Sequence, residues 1–212
     1  MNILIAGANG KTGRILIRHL TQKGHNAKAM IRKEEQTATM KELGAEPIVA
    51  DLEKNTDHAF NDIDAVIFAA GSGSKTGPDK TTDVDRNGAI ALIDTAKKHG
   101  INHFVMLSSM GADHPEQGVK EMQHYYRAKH DADEHLLNSG LSYTIVRPGL
   151  LTDDEPTGEI IAQTKLENRK GAITRGDVAV VLAESLSRES TQNQIFEILN
   201  GNVPIDEALN HL

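Results

Sequence analysis

Near the start of the chain an unbroken apolar run, Ile3-Leu4-Ile5-Ala6, gives way to Gly7-Ala8-Asn9-Gly10-Lys11-Thr12-Gly13, and then to a segment carrying Ile15, Leu16 and Leu20 at helical spacing. An apolar run without polar alternation reads as a strand buried on both faces of a parallel sheet. Placed between such a strand and a helix, the three glycines have separate uses. Gly7 permits the tight turn, Gly10 lets backbone approach a pyrophosphate, and Gly13 lets the helix pack close to the sheet. The helix start offers N–H groups and a positive dipole to phosphates, with Asn9, Lys11 and Thr12 on the same loop. Gly10-Lys11-Thr12 also invites comparison with a triphosphate-binding loop. That loop needs a glycine five residues earlier, where this chain has Ile5 inside the strand, so the turn is too short to wrap a β-phosphate.

The rest of the chain continues the alternation. His25 to Ile31 reads as a second strand, Glu34 to Leu43 as a polar helix stopped by Gly44, and Pro47 to Ala50 as a third strand ending at Asp51. Ala65 to Ala70, His103 to Leu107 and Leu141 to Val146 read as further strands. Val84 to Lys98 and Gln123 to Asn138 read as the helices between them, stopped by Gly100 and Gly140. Strict alternation implies right-handed crossovers and an α/β fold with a doubly wound parallel sheet, the Rossmann arrangement. After Pro148 the pattern loosens to a short strand at Glu159 to Thr164, a helix from Asp177 to Leu186 and a strand at Gln194 to Leu199. This tail is too short for an independent domain. We expect one domain over 1–212, with 149–212 walling the substrate side of a cleft.

Composition narrows the function classes. With 38% hydrophobic and 25% charged residues, the chain has the balance of an ordinary soluble globular protein. A formal charge of -7 is wrong for a nucleic-acid partner, which needs a basic surface to displace phosphate counterions. The absence of cysteine removes thiolate catalysis, disulfides and cysteine zinc sites together. No apolar run approaches the ~20 residues of a membrane span, and a strand starting at Asn2 leaves no room for a signal peptide, so a cytoplasmic location is expected. A small-molecule substrate is the expected partner, and the sequence leaves monomer and homodimer open.

The end of the second strand speaks to the cofactor. A carboxylate about 20 residues past the glycine loop favours NAD, whereas an arginine there accommodates a 2′-phosphate. Here Met30-Ile31-Arg32-Lys33 places two cations first, and Glu34 and Glu35 follow, so NADP is expected over NAD with Arg32 as the phosphate contact. Asp51 and Leu52 after the third strand, and Ala69, Ala70 and Gly71 after the fourth, are expected to flank the adenine and the centre of the cofactor. Gly71 to Pro78 reads as a flexible loop over it, in which Lys75 and Lys80 are candidates for meeting phosphate or substrate.

Tyr125-Tyr126-Arg127-Ala128-Lys129 opens the Gln123 to Asn138 helix. Four residues advance a helix by roughly 400°, so Tyr125 and Lys129 share a face and Tyr126 is expected to point elsewhere. An ammonium beside a phenol stabilises phenolate, so Lys129 is expected to move Tyr125 down toward working pH and fit it to act as a general acid. Ser108 and Ser109 end the fifth strand where a hydroxyl can hold the same carbonyl oxygen. His124, His130, Asp131, Asp133, Glu134 and His135 crowd the same helix, but His130 and His135 are five apart and lie about 140° from each other, so no metal site is expected.

The glycine loop, Val105-Met106-Leu107-Ser108-Ser109, Tyr125-xxx-Lys129 and Tyr143-Thr144-Ile145-Val146-Arg147-Pro148-Gly149 together resemble the atypical short-chain dehydrogenase/reductases. Within them the chain is similar to small bacterial NAD(P)-binding oxidoreductases grouped with NmrA-like proteins and biliverdin reductase B. The resemblance spans nearly the whole chain. It implies that Gly7, Gly10 and Gly13 form the dinucleotide fingerprint, Tyr125 is the catalytic tyrosine, Lys129 binds ribose and Pro148 turns beside the nicotinamide; of the two serines, Ser109 fits the active-site position better than Ser108, and the register between them stays open. The expected activity is NADP-dependent hydride transfer to a small carbonyl or conjugated substrate. Two alternatives are a non-catalytic NADP-binding redox sensor and an NAD-dependent epimerase or dehydratase; the short tail after Pro148 argues against the latter.

Overall fold

The computed structural model describes residues 1–73 and 77–212, so Lys75 lies outside the described residues. The first half alternates β1 (Asn2–Ala6), α1 (Lys11–Gln22), β2 (Asn26–Ile31), α2 (Thr37–Glu42), β3 (Glu46–Val49) and β4 (Ala65–Phe68). A continuous helical stretch follows: α3 (Pro78–Lys80), a π-helical segment (Thr81–Gly88) and α4 (Ala89–Lys98). Then come β5 (His103–Leu107), α5 (Gln123–Leu137) and β6 (Tyr143–Pro148). The tail supplies β7 (Leu150–Thr152), β8 (Glu159–Gln163), β9 (Ala172–Thr174), α6 (Arg175–Glu184), β10 (Gln194–Asn200), β11 (Val203–Pro204) and α7 (Ile205–Asn210).

The main sheet has the order β11-β8-β10-β6-β5-β4-β1-β2-β3. From β10 to β3 every pairing is parallel, with Ile3 opposite Ala27 on one side and Ala65 on the other. β8 runs antiparallel to both β10 and β11, so the sheet is mixed at its β11 end rather than parallel throughout. The tail extends the sheet as well as walling a cleft. β7 and β9 form a separate two-stranded parallel sheet that the sequence reading missed, each being only three residues long.

Residue alternation in β1 explains the two packed layers. Ile3 and Ile5 join Leu16, Ile17 and Leu20 of α1 and Val178, Val181 and Leu182 of α6 on one face. Leu4 and Ala6 join Leu92, Ile93 and Ala96 of α4 and Leu136 of α5 on the other. Strands covered on both faces have no polar side to keep, which is why they are apolar without alternation. Ile15 of α1 is exposed and Ile17 takes the core position. The helix expected from Val84 begins earlier, at Pro78, and passes through the π-helical segment, for which composition carries no marker. Among the described residues no helix is long and apolar enough to cross a membrane.

Candidate active site

β1 is flanked by β4 on one side and β2 on the other, so the strand order reverses between β1 and β4, and a crevice opens beyond their carboxyl ends. Two cavities occupy this crevice. One, of about 340 Å³, is lined by Gly7, Asn9, Gly10, Arg32, Asp51, Leu52, Ala69, Ala70, Gly71 and Lys80, all expected from the sequence, and also by Met30, Ile31, Gln36, Ala50, Ser72 and Val84. The second, of about 760 Å³, is bounded by Ser108, Ser109, Met110, Tyr125, Tyr126, Pro148, Leu151 and Arg169, among others. Gly71 and Ser72 line both cavities.

The glycine loop divides its labour as its spacing implies. Gly7 has φ +84°, and a Cβ there would stand 2.5 Å from the Ala70 nitrogen, so only glycine fits. A Cβ on Gly13 would collide with the Gly7 carbonyl and lie 2.9 Å from the Ala8 Cα, so Gly13 seats α1 against the strand end and does not face the cavity. Gly10 donates its N–H to the Gly7 carbonyl at 2.9 Å and stands at the N-cap of α1, where no side chain caps the helix. The first-turn N–H groups are thereby left to a ligand. Thr12 is buried. Lys11 is exposed and ion-paired with Asp153, so neither side chain lines the cavity.

Arg32 stands just past β2 with its side chain exposed, and among the described residues it forms no ion pair. Its N–H and that of Lys33 donate to Gln36 Oε1 at 3.0 and 3.2 Å. Gln36 is a cavity residue that the sequence reading passed over; the available signal was a capping-box glutamine three residues past Lys33. Asp51 turns its carboxylate back onto the Glu53 N–H at 3.1 Å, and Lys80 is paired with Glu53 at 2.8 Å.

In the larger cavity Ser109 is part-exposed, whereas Ser108 is 3% exposed and donates to Asp133 Oδ2 at 2.8 Å. That carboxylate also receives Arg147 Nε and Nη2. Ser108 thus belongs to a buried tie between β5, α5 and β6, and Ser109 is the serine turned to the cleft. Tyr125 and Tyr126 both line the cavity, so Tyr126 does not point away as one-residue helical spacing suggested. It is accommodated because its ring lies over Gly111 and Gly118, where any Cβ would come within 3.2 and 2.6 Å of it.

Lys129 is 2% exposed. Its Nζ lies 3.2 Å from Asp85 Oδ1, donates to the Leu107 carbonyl at 3.2 Å, and stands 5.6 Å from the centre of the Phe68 ring and 5.9 Å from that of Tyr125. It therefore sits behind Tyr125 and lines neither cavity. Burial pushes its ammonium down, but Asp85 and Tyr125 outweigh burial and hold it above its ordinary value. For Tyr125 burial is the largest influence and raises the phenol. Lys129 and Ser109 pull it down while Asp85 and Tyr126 push it up, and the balance lies above the ordinary value of 10.0. The expected downward shift is reversed because burial, joined by Asp85 and Tyr126, outweighs the pull of Lys129. On the metal candidates of α5, Asp131 is paired with Arg86, Asp133 with Arg147 and His135 with Asp94, while His130 meets the Ala112 carbonyl.

A family model described as NAD(P)H-binding matches residues 7–189, from the first glycine of the loop to beyond α6. The chain belongs to this family. A nicotinamide dinucleotide is the cofactor it implies, and the uncapped α1 start, the glycine turn and the cavity beneath them suit such a group. This NAD(P)H-binding protein is 42% identical over its whole length to the whole of a Bacillus subtilis protein named uncharacterized sugar epimerase YhfK. It superposes on all of a Bacillus halodurans structure, provisionally named an NAD-dependent epimerase/dehydratase, with a TM-score of 0.98 and 47% identity over 100% of both chains. Sanguinarine reductase of Eschscholzia californica is 26% identical, covering 98% of this chain and 92% of that one. The NAD(P)H-binding protein is thus a Rossmann-fold member of an oxidoreductase and epimerase-like family.

Proposed function

We propose that this protein is an NADPH-dependent reductase of small carbonyl or conjugated substrates in which Tyr125 donates the proton. The observation that carries the reading is the meeting of Tyr125 and Ser109 in one cavity of about 760 Å³, joined through Gly71 and Ser72 to the cavity beneath the glycine loop. Arg32 takes the 2′-phosphate of the cofactor, while Gly7, Gly10 and the start of α1 take its pyrophosphate. Bound NADPH supplies a hydride. Ser109 donates to the substrate oxygen and fixes its direction, and Tyr125 Oη, kept protonated by its buried setting, delivers a proton to that oxygen. Met110, Leu151 and Pro148, which also line this cavity, exclude water from it.

The names of two relatives favour an epimerase as a second reading. Against it, β8, β10 and β11 of the tail extend the main sheet and α6 packs on its face, which leaves short segments around Leu150 and Arg169 as walls for a substrate the size of a nucleotide sugar. The test follows NADPH oxidation optically against quinones, flavins and small aldehydes, for the wild type and Tyr125→Phe. Turnover lost in the variant supports the assignment; turnover unaffected by it removes Tyr125 as the acid. No turnover on any substrate, with NADPH still bound, would favour a redox sensor.

A further inference from the structure

Asp85 lies in the π-helical segment, is 0% exposed, and reaches three parts of the site at once. Its Oδ2 accepts the Ser72 N–H at 2.9 Å, in the turn that separates the two cavities. Its Oδ1 faces Lys129 Nζ at 3.2 Å, and a Cβ on Gly71 would stand 3.3 Å from the same oxygen. The carboxylate also borders the larger cavity. A π turn shifts the side chains that follow it around the axis relative to an α-helix, and such segments occur frequently at functional sites. Here the turn carries an acidic side chain into a place bounded by β4, α5 and the cleft. An uncompensated buried carboxylate is costly, and so is an uncompensated buried ammonium; paired, each answers the other.

We propose that Asp85 is a positioning residue for the Tyr125 phenol: its carboxylate joins Lys129 to Ser72 and so cancels the ammonium charge beneath the Tyr125 ring. Without the carboxylate, Lys129 would act on the phenol as a bare cation 5.9 Å from the ring centre in a low-dielectric setting, and phenolate would be favoured. With it, the phenol keeps its proton for delivery to substrate. The inference rests on the reading of Tyr125 as proton donor. Among the described residues, the other charged or titratable groups around the phenol are Tyr126 and His124 on its own helix, Glu121 just before it, and Arg169 in the cavity lining; Asp133 acts on Lys129 from the next turn of α5. Arg169 and Asp133 are each engaged in separate ion pairs.

The test is a spectroscopic titration of the tyrosines in the full chain, with neither cofactor nor substrate, so that it is independent of whether reduction is the activity. There are three tyrosines, and Tyr125→Phe identifies which transition belongs to Tyr125. Asp85→Asn, nearly the same shape, is expected to lower that transition by about one unit or more. Asp85→Asn/Lys129→Gln, which leaves no buried charge unpaired, is expected to return it to within about half a unit of wild type, because a cancelled pair and an absent pair act alike on the phenol. Should Asp85→Asn alone fail to fold by circular dichroism, the double variant carries the test. If Lys129 acted on Tyr125 without Asp85 opposing it, the double variant would titrate well above wild type. That result, or an unmoved transition in a folded Asp85→Asn, overturns the proposal.

Discussion

The carbonyl oxygen of Gly7 occupies the place that a Cβ on Gly13 would need, so the turn after β1 and the start of α1 touch through backbone alone. Gly10, between them, has only the Gly7 carbonyl near its missing side chain, at 3.2 Å. The three glycines therefore separate folding from binding. Gly13→Ala should cost about 1–3 kcal/mol as an overpacked contact, read as a lower melting temperature. Gly10→Val should retain the far-ultraviolet dichroism of the wild type and lose NADPH binding by fluorescence titration. Normal binding by folded Gly10→Val would mean that the loop is only a turn.

The exposed guanidinium of Arg32 beside the smaller cavity, which forms no ion pair among the described residues, gives the cofactor preference a single test. A charge-assisted contact to phosphate contributes roughly 1.5–3 kcal/mol, or about one to two decades of affinity. NADPH is expected to bind more tightly than NADH, and Arg32→Ala to remove most of that difference while NADH affinity stays put. Equal binding of both cofactors to the wild type would remove Arg32 as a 2′-phosphate contact.

How much of this was legible beforehand follows from the kind of signal each part leaves. The buried strands, Gly7, Gly10, Arg32 and the segment Ala69 to Gly71 were readable because apolar runs and glycine spacing are local patterns, and the switch-point rule places strand ends at a crevice. The direction of the Tyr125 shift was misread because burial of the phenol, its largest influence, leaves no local pattern, and because the opposing Asp85 is 40 residues away in sequence, carried in by a π turn with no compositional marker. Tyr126 was misplaced because helical angle alone ignores neighbours. Two glycines outside the helix, Gly111 and Gly118, make room for its ring against the cavity. Arg169 gave no local signal either, since its partners Asp113 and Glu197 lie 56 and 28 residues away.

Arg169 ties the tail to the wall of the larger cavity by pairing with Asp113 and with Glu197, a carboxylate only 1% exposed. Arg169→Ala leaves that buried charge without its cationic partner and with the Leu166 N–H still donating to it, a loss of about 3–5 kcal/mol. In a chain of this size that is roughly 6–20 °C in melting temperature. Burial pushes Asp113 up, but Arg169 outweighs it and holds the carboxyl below its ordinary 3.8. A carboxylate lowered in the folded state stabilises above its unfolded value and loses that contribution as pH falls through the folded one. The wild type is therefore expected to lose melting temperature between about pH 5 and 3 more steeply than Arg169→Ala, which has no such pairing to lose, so that the gap narrows. A gap that stays constant over this range would separate Asp113 from the effect.

Tyr125 and Lys129 lie one turn apart on α5, yet the structure gives their substitutions different consequences. Tyr125→Phe removes a hydroxyl and keeps the ring packed near the lysine, so turnover is expected to fall by about 10² to 10⁴ with NADPH affinity nearly unchanged. Lys129→Ala does more than remove a cofactor contact or a charge near the phenol, because it strands Asp85, 0% exposed, as a buried charge left with the Ser72 N–H among the described residues. A loss of about 3–5 kcal/mol in stability should accompany it, visible as an earlier urea midpoint. Asp85→Ala/Lys129→Ala should recover part of that midpoint, since removing both charges costs less than orphaning one, even though it enlarges the cavity left behind. Cofactor affinity measured in this double variant then reports whether Lys129 touches ribose. Affinity equal to that of the wild type would confine Lys129 to its place behind Tyr125, whereas a tenfold or greater weakening would make it a cofactor ligand as well.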